Sequence, residues 1–270
     1  MIDDEVKKTL RSLGVNPSKD KGQNFLIDPA AIQEIVNFGR PEINTGKIVE
    51  IGPGLGALTA ELAEESDLIV IEIEDKFCEY ISKRFPKVEI VESDVRLVDF
   101  SELGDNLTIF GNLPYSISTD VILHLSQFAS CIKRAVVMLQ KEFAERLAAK
   151  PSCRDYGVLT ITCQMCADVR LGPVIHGTSF FPEAGVDSQV LELRFLEKPR
   201  CTPKDKYIFN RLIGAAFHER RKKILNSIRK SEVFANMDVA GALERVGIDP
   251  MRRAETLSIE DYCRLSDELS

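Results

Sequence analysis

A strand-like run that empties into a glycine loop and then into a helix constrains this chain more than any other feature. Lys47-Ile48-Val49-Glu50-Ile51 alternates as a strand does, and it runs directly into Gly52-Pro53-Gly54-Leu55-Gly56-Ala57. Leu58 to Glu65 then reads as a helix. Strand, glycine loop and helix in that order let a backbone approach a nucleotide-like ligand closely. A second apolar run, Leu68 to Ile73, carries Glu72 twenty positions after Gly52. A carboxylate at that spacing can accept hydrogen bonds from ribose hydroxyls. Val88 to Val91 ends near Ser93-Asp94, Leu107 to Phe110 ends at Asn112, and Ala135 to Leu139 is the next strand. Alternating strands and helices over residues 47 to 140 predict a parallel sheet. Ligands of such sheets bind at the carboxyl ends of the strands.

The loop fits a dinucleotide and an adenosyl sulfonium equally well, because G-x-G-x-x-G/A is satisfied with Ala57 in the last place. Asn112-Leu113-Pro114-Tyr115 tips the choice. These residues can form a plain turn. They are also the parts needed to hold a flat ring bearing an exocyclic amine. The Asn112 side-chain oxygen and the carbonyl before Tyr115 can each accept one N–H, and the Tyr115 ring can stack on an unstacked base. Hydride transfer gives no reason for such a grip, whereas methyl transfer to an amine does.

The residues then resemble a known family, the small-subunit ribosomal RNA adenine N6,N6-dimethyltransferases, in their archaeal type. The matching segments are Gly22 to Leu26, Glu50 to Gly56, Ile71-Glu72, Ser93-Asp94, Asn112 to Tyr115, Phe180 to Ser188 and Ala216 to Lys222, in the family's order along nearly the whole chain. The resemblance implies a Rossmann-like S-adenosylmethionine-dependent methyltransferase domain, a mostly parallel seven-stranded sheet with one antiparallel strand, and a small C-terminal α-helical domain. It implies that Gln23, Asn24 and Leu26 close over the methionine end of S-adenosyl-L-methionine. Gly52 and Gly54 would wrap that end, Glu72 would hold the ribose and Asp94 would meet the adenine amine. Asn112 would lie between donor and target amine, with Pro114 and Tyr115 beside it. Phe180, or its neighbour Phe181, would cover the other face of the base. Where the family has a second proline this chain has Ala184. The implied reaction is four transfers to two adjacent adenosines in a loop of small-subunit RNA, within a pre-subunit particle.

Charge is local rather than global. The formal net charge is −7 and the pI about 5.2, although an RNA binder is expected to be basic. Basic residues cluster instead at Arg220, Arg221, Lys222 and Lys223, the expected RNA face, and more sparsely at Lys7, Lys8, Arg11, Lys19 and Lys21. Seven scattered cysteines exclude a disulfide framework, and the lone pair Cys163 and Cys166 lacks two further ligands for structural zinc, so no metal is expected. These thiols read as buried helix residues near Leu159 and Ile161. No apolar run reaches membrane-span length and the acidic start lacks a leader's pattern, which predicts a cytoplasmic protein. A monomer is expected.

Lys198 to Pro203 reads as a linker, dividing a domain of residues 1–197 from a helical one of 198–270. Asp28-Pro29 opens a helix, Lys141 to Ala149 is a helix, and Val190 to Phe195 is a late strand. Helical periodicity returns over Tyr207–Phe217, Lys222–Arg229, Val239–Val246 and Ile259–Leu265. Three other readings compete. One is a methyltransferase acting on DNA or a protein glutamine. Another is a ribosome-assembly factor in which the basic helix matters more than Asn112. The third is a nicotinamide oxidoreductase.

Overall fold

A computed structural model describes the chain except residues 1, 18–22, 41–45, 65–66 and 220. Lys19, Lys21, Gly22, Glu65 and Arg220 therefore lie outside the described residues. Contacts divide the chain into two compact units, residues 1–144 with 168–195, and residues 145–167 with 196–270.

The first unit holds the sheet. It comprises α1 (Ile2–Ser12), β1 (Phe25–Leu26), α2 (Pro29–Gly39), β2 (Ile48–Ile51), α3 (Thr59–Leu62), β3 (Leu68–Glu72), α4 (Asp75–Arg84), β4 (Glu89–Glu92), β5 (Leu107–Asn112), α5 (Ser118–Gln127), β6 (Ile132–Gln140) and α6 (Lys141–Leu147), whose last residues pass into the second unit. α7 (Val158–Gln164) belongs to the second unit, and β7 (Ala167–Ile175), β8 (Phe180–Phe181) and β9 (Ser188–Phe195) return to the first. The seven-stranded sheet has the order β4-β3-β2-β5-β6-β9-β7. β2 pairs in parallel with β3 and β5, β3 with β4 and β5 with β6, whereas β9 runs antiparallel to β6. This is the mostly parallel sheet expected.

Each strand of the sheet's middle has a simple cause. Ile48 to Ile51, Leu68 to Glu72 and Leu107 to Gly111 are buried throughout, because helices cover a parallel sheet on both faces. Strand order reverses between β2 and β5, so the chain leaves the two strands in opposite directions and opens a crevice at their carboxyl ends. The register pairs Ile51 with Gly111, which sets Gly52 beside Asn112. Asp28 caps α2 by accepting from the Ala30 N–H at 2.9 Å, as Asp-Pro predicted.

Two strand features were absent from the sequence reading. β7 contains Gly172-Pro173 and has mixed exposure, so it carries no alternating signal. β1 and β8 form a separate two-stranded pair, Phe25 opposite Phe181 and Leu26 opposite Phe180, too short to register as a pattern.

The second unit is helical: α7, α8 (Lys206–His218), α9 (Ile224–Arg229), α10 (Val239–Arg245) and α11 (Ile259–Glu268). Its core gathers Tyr156, Ile161, Phe209, Phe234 and Tyr262 with their aliphatic neighbours. The expected boundary at 197 assigned residues 145–167 to the sheet domain. Here they pack with the helical unit, because Tyr156 and Ile161 of this segment belong to its core. Cys163 is buried in α7, which pushes its thiol well above the ordinary range, and Cys166 follows the helix. Among the described residues no helix is long and apolar enough to cross a membrane.

Candidate active site

A cavity of about 360 Å³ opens at the carboxyl ends of β2, β3 and β5. Gln23, Asn24, Leu26, Gly52, Gly54, Glu72, Asp94, Asn112 and Pro114 all line it, so one crevice collects these expected site residues from five chain segments. Gly52 (φ 67°) and Gly54 (φ 53°) turn the chain in the left-handed region, which costs a side-chain-bearing residue roughly 1–2 kcal/mol. A Cβ on Gly54 would also stand 3.3 Å from the Phe25 ring.

Two buried carboxylates face this turn. Glu72 ends β3, and its Oε1 accepts from the Ile73 and Glu74 N–H groups at 2.8 and 3.0 Å. Its Oε2 takes only a longer bond, 3.4 Å, from the Gly54 N–H. Burial raises the pKa of Glu72, and those backbone donors oppose the rise. Glu50, on β2, is 1% exposed and accepts a 2.6 Å bond from Thr59 Oγ1 at the start of α3. Desolvation pushes its carboxyl up to about 7, the Thr59 hydroxyl pulling the other way. The sequence reading missed Glu50 and Thr59 as a pair, because strand-end acids and helix-start threonines are individually common.

The third carboxylate is held differently. Asp94 caps the turn Val95–Leu97 through the Arg96 N–H, and the Arg96 guanidinium grips both its oxygens, the shortest contact being 2.6 Å. That guanidinium holds Asp94 below the usual carboxylate range. Ile73, Val95 and Ile117 add an apolar lining to the cavity, and Arg96 also lines it. None of these four was picked out from sequence. Ile73 is 59% exposed, and the only signal in the sequence was an isoleucine directly after a strand-end acid.

Asn112 Nδ2 donates to the Asn24 carbonyl at 3.1 Å, so the side-chain oxygen is the atom presented as acceptor. Pro114 departs from expectation. Its carbonyl accepts from the Ile117 N–H (3.2 Å) and Ser118 Oγ (3.1 Å), which open α5. Both lone pairs are then engaged, and the carbonyl is no free acceptor for an amine. No described residue donates to the neighbouring Leu113 carbonyl. Tyr115 is half-buried, and its hydroxyl shares a 2.7 Å hydrogen bond with Ser188 Oγ, the first residue of β9.

Phe180 also differs from its expected place. Pairing of β8 with β1 turns it into the core beside Leu26, Ile175 and Ala184, where it is 2% exposed and offers no open ring face. Phe181 is half-buried in a second cluster with Leu10, Phe25 and Phe77, and Lys7 Nζ lies 5.2 Å from its ring centre. In the helical unit Arg221, Lys222 and Lys223 are all exposed. Glu219 beside them pairs with Lys230 at 2.7 Å, so the acidic member of the run is neutralised from within.

Glycine turns, a strand-end acid and an asparagine beside the crevice define a nucleotide-cofactor methyltransferase built on a Rossmann-like sheet. Residues 15–270 match the family described as ribosomal RNA adenine dimethylase. The chain is 40% identical over 261 residues to the ribosomal RNA small subunit methyltransferase A of Desulforapulum autotrophicum, covering 93% of this chain and 91% of that one. It is likewise 40% identical over 251 residues to the protein of that name from Nitrosomonas europaea, covering 92% and 95%. Among solved structures, a dimethyladenosine transferase from Plasmodium falciparum superposes with a TM-score of 0.78 at 25% identity, over 89% of this chain and 95% of that one. The 23S rRNA methyltransferase ErmE shares the fold, with a TM-score of 0.69 at 22% identity, over 91% and 99%. The chain belongs to the ribosomal RNA adenine dimethylase family and is a methyltransferase of that kind.

Proposed function

We propose that the chain dimethylates N6 of two adjacent adenosines in a loop of small-subunit ribosomal RNA, with S-adenosyl-L-methionine as donor, on a pre-subunit particle. The observation that carries this reading is the Asn112 amide, whose Nδ2 is engaged by the Asn24 carbonyl, which leaves its oxygen as the acceptor available to an amine. The donor set fits the cofactor: Glu72 Oε2 has room for ribose hydroxyls, Asp94 can accept from an adenine amine, and Ile73, Val95 and Ile117 suit a purine face. Gln23, Asn24, Leu26, Gly52 and Gly54 surround the amino-acid end.

The bound sulfonium supplies an electrophilic methyl by its own electronics. The protein supplies orientation. An adenine amine is a weak nucleophile because its lone pair is delocalised into the ring. Acceptors on both its hydrogens favour a pyramidal nitrogen with the lone pair aimed along the line of transfer. Asn112 Oδ1 is one acceptor. With the Pro114 carbonyl engaged by α5, the Leu113 carbonyl takes the second role. Tyr115 stacks on the base while Ser188 steadies its ring. No side chain acts as base, since the proton can leave after transfer. Flipping the base out of a stack costs a few kcal/mol, least for unpaired loop residues.

Arg221, Lys222 and Lys223 contact phosphates, with Arg220 alongside them in sequence. The protein acts as a monomer in the cytoplasm. The test offers labelled S-adenosylmethionine with small subunits lacking adenine methylation, random RNA and duplex DNA, followed by nucleoside analysis. Dimethyladenosine in the subunit alone supports the reading. Donor binding without transfer to any of them would favour the assembly-factor alternative, in which the basic run and not Asn112 is essential.

A further inference from the structure

Both oxygens of Asp94 are engaged from within its own turn. Its Oδ1 accepts from the Arg96 N–H at 2.9 Å and from Arg96 Nε at 3.0 Å. Its Oδ2 accepts from Nε at 3.1 Å and Nη2 at 2.6 Å. A carboxylate offers about four acceptor positions, and Arg96 occupies both oxygens with three hydrogens, the single Nε hydrogen being shared between them. Yet Asp94 is the group that an adenine amine must reach at this end of the cavity. Asp94 itself cannot turn away, because it caps Val95–Leu97. Arg96 can. Its side chain is 43% exposed, and its Nη1 already lies 3.7 Å from Asp120 Oδ2, on α5, whose side chain is 60% exposed.

We propose that Arg96 and the exocyclic amine of the donor's adenine compete for Asp94, and that Asp120 receives the guanidinium when the amine binds. The inference rests on the donor assignment above and adds a specificity element to it. Rotation of Arg96 about its side chain frees Asp94 Oδ2 while the backbone bond to Oδ1 stays. Asp120 keeps the displaced cation paired, so the exchange replaces one partly exposed ion pair with another. Such pairs are weak, which keeps the exchange easy and its effect on affinity modest. A ligand without the amine has nothing to offer Asp94 and leaves Arg96 where it is.

Calorimetric titration tests this with S-adenosylmethionine, S-adenosylhomocysteine and the purine analogue of S-adenosylhomocysteine, which has hydrogen in place of the amine and no N1–H donor. Arg96→Ala is expected to tighten both adenosyl ligands roughly two- to fivefold, the range that a partly exposed ion pair supplies, and to leave the purine analogue unchanged. Asp120→Asn, a surface change remote from the fold's core, is expected to weaken the adenosyl ligands by a similar factor. Weaker adenosyl binding in Arg96→Ala, equal tightening of all three ligands, or no change in Asp120→Asn overturns the exchange. Failure of the unsubstituted protein to bind either adenosyl ligand would instead overturn the donor assignment itself.

Discussion

The two ends of the catalytic crevice are built from different materials. The end assigned to the donor is made of main chain and buried acids. Glu72 is held by three backbone N–H groups, Glu50 by Thr59, and the loop between them by glycines at positive φ. The end assigned to the base is made of side chains at strand ends and loops: the Asn112 amide, and the Tyr115 hydroxyl on a single contact to Ser188. Backbone donors are fixed by the sheet and cannot be exchanged without unfolding it. Side-chain contacts can be removed singly. Substitutions at the base end should therefore separate chemistry from stability, whereas substitutions at the donor end should mix stability with affinity.

The largest expected effect lies at the base end. Asn112→Ala should lower the single-turnover methyl-transfer rate about 10²–10³-fold, as loss of one preorganised transition-state partner does, with donor affinity changed only a few-fold. A parallel fall in thermal stability would break the contrast between the two ends.

The next effect is a stability one at the donor end. Burial pushes the Glu50 carboxyl up to about 7 in the folded protein, against roughly 4.3 in an unfolded chain. Between those values the folded state keeps a proton that the unfolded state has lost, so stability falls as pH rises through that window. The loss is about 3 kcal/mol by pH 8, and Glu72, shifted in the same direction, adds to it. Glu50→Gln should abolish this share of the slope. Denaturant unfolding at pH 5 and pH 8 checks it, and equal slopes in both proteins would show that Glu50 is ionised at neutral pH.

Tyr115→Ala should raise the KM for RNA by an amount worth about 1–3 kcal/mol of stacking, and leave donor binding alone. Ser188→Ala should show a smaller shift of the same kind, and the double variant no more than Tyr115→Ala, because the two act as a unit. Additive effects would mean that Ser188 does not act through the ring. Smallest is Gly54→Ala, which forces a side chain into positive φ beside Phe25. A loss of about 1–2 kcal/mol of stability is expected, together with weaker donor binding, by thermal melts and titration.

Legibility in the sequence followed burial. β2, β3 and β5 are buried along almost their whole length, so their apolar runs and the polar groups at their ends could be read directly. β7, interrupted by Gly172-Pro173, could not. Residues 145–167 show why domain borders resist such reading: an amphipathic helix announces an apolar face but not which core will take it, and here Tyr156 and Ile161 join the helical unit. Within the site, Glu72, Asp94 and Asn112 could be placed by spacing and family pattern. The grip of Arg96 on Asp94, the engagement of the Pro114 carbonyl by α5 and the inward turn of Phe180 are consequences of local chain geometry, and no residue pattern announces them.

In the proposed mechanism Asn112 orients an adenine amine for two successive transfers. Its most direct test is nucleoside analysis of small subunits lacking adenine methylation after incubation with S-adenosylmethionine and either the unsubstituted protein or Asn112→Ala. N6,N6-dimethyladenosine is expected with the first, and, over the time in which the first reaction completes, almost no monomethyl or dimethyl product with the second despite retained donor binding. Dimethyladenosine formed at comparable rates by both proteins would contradict it.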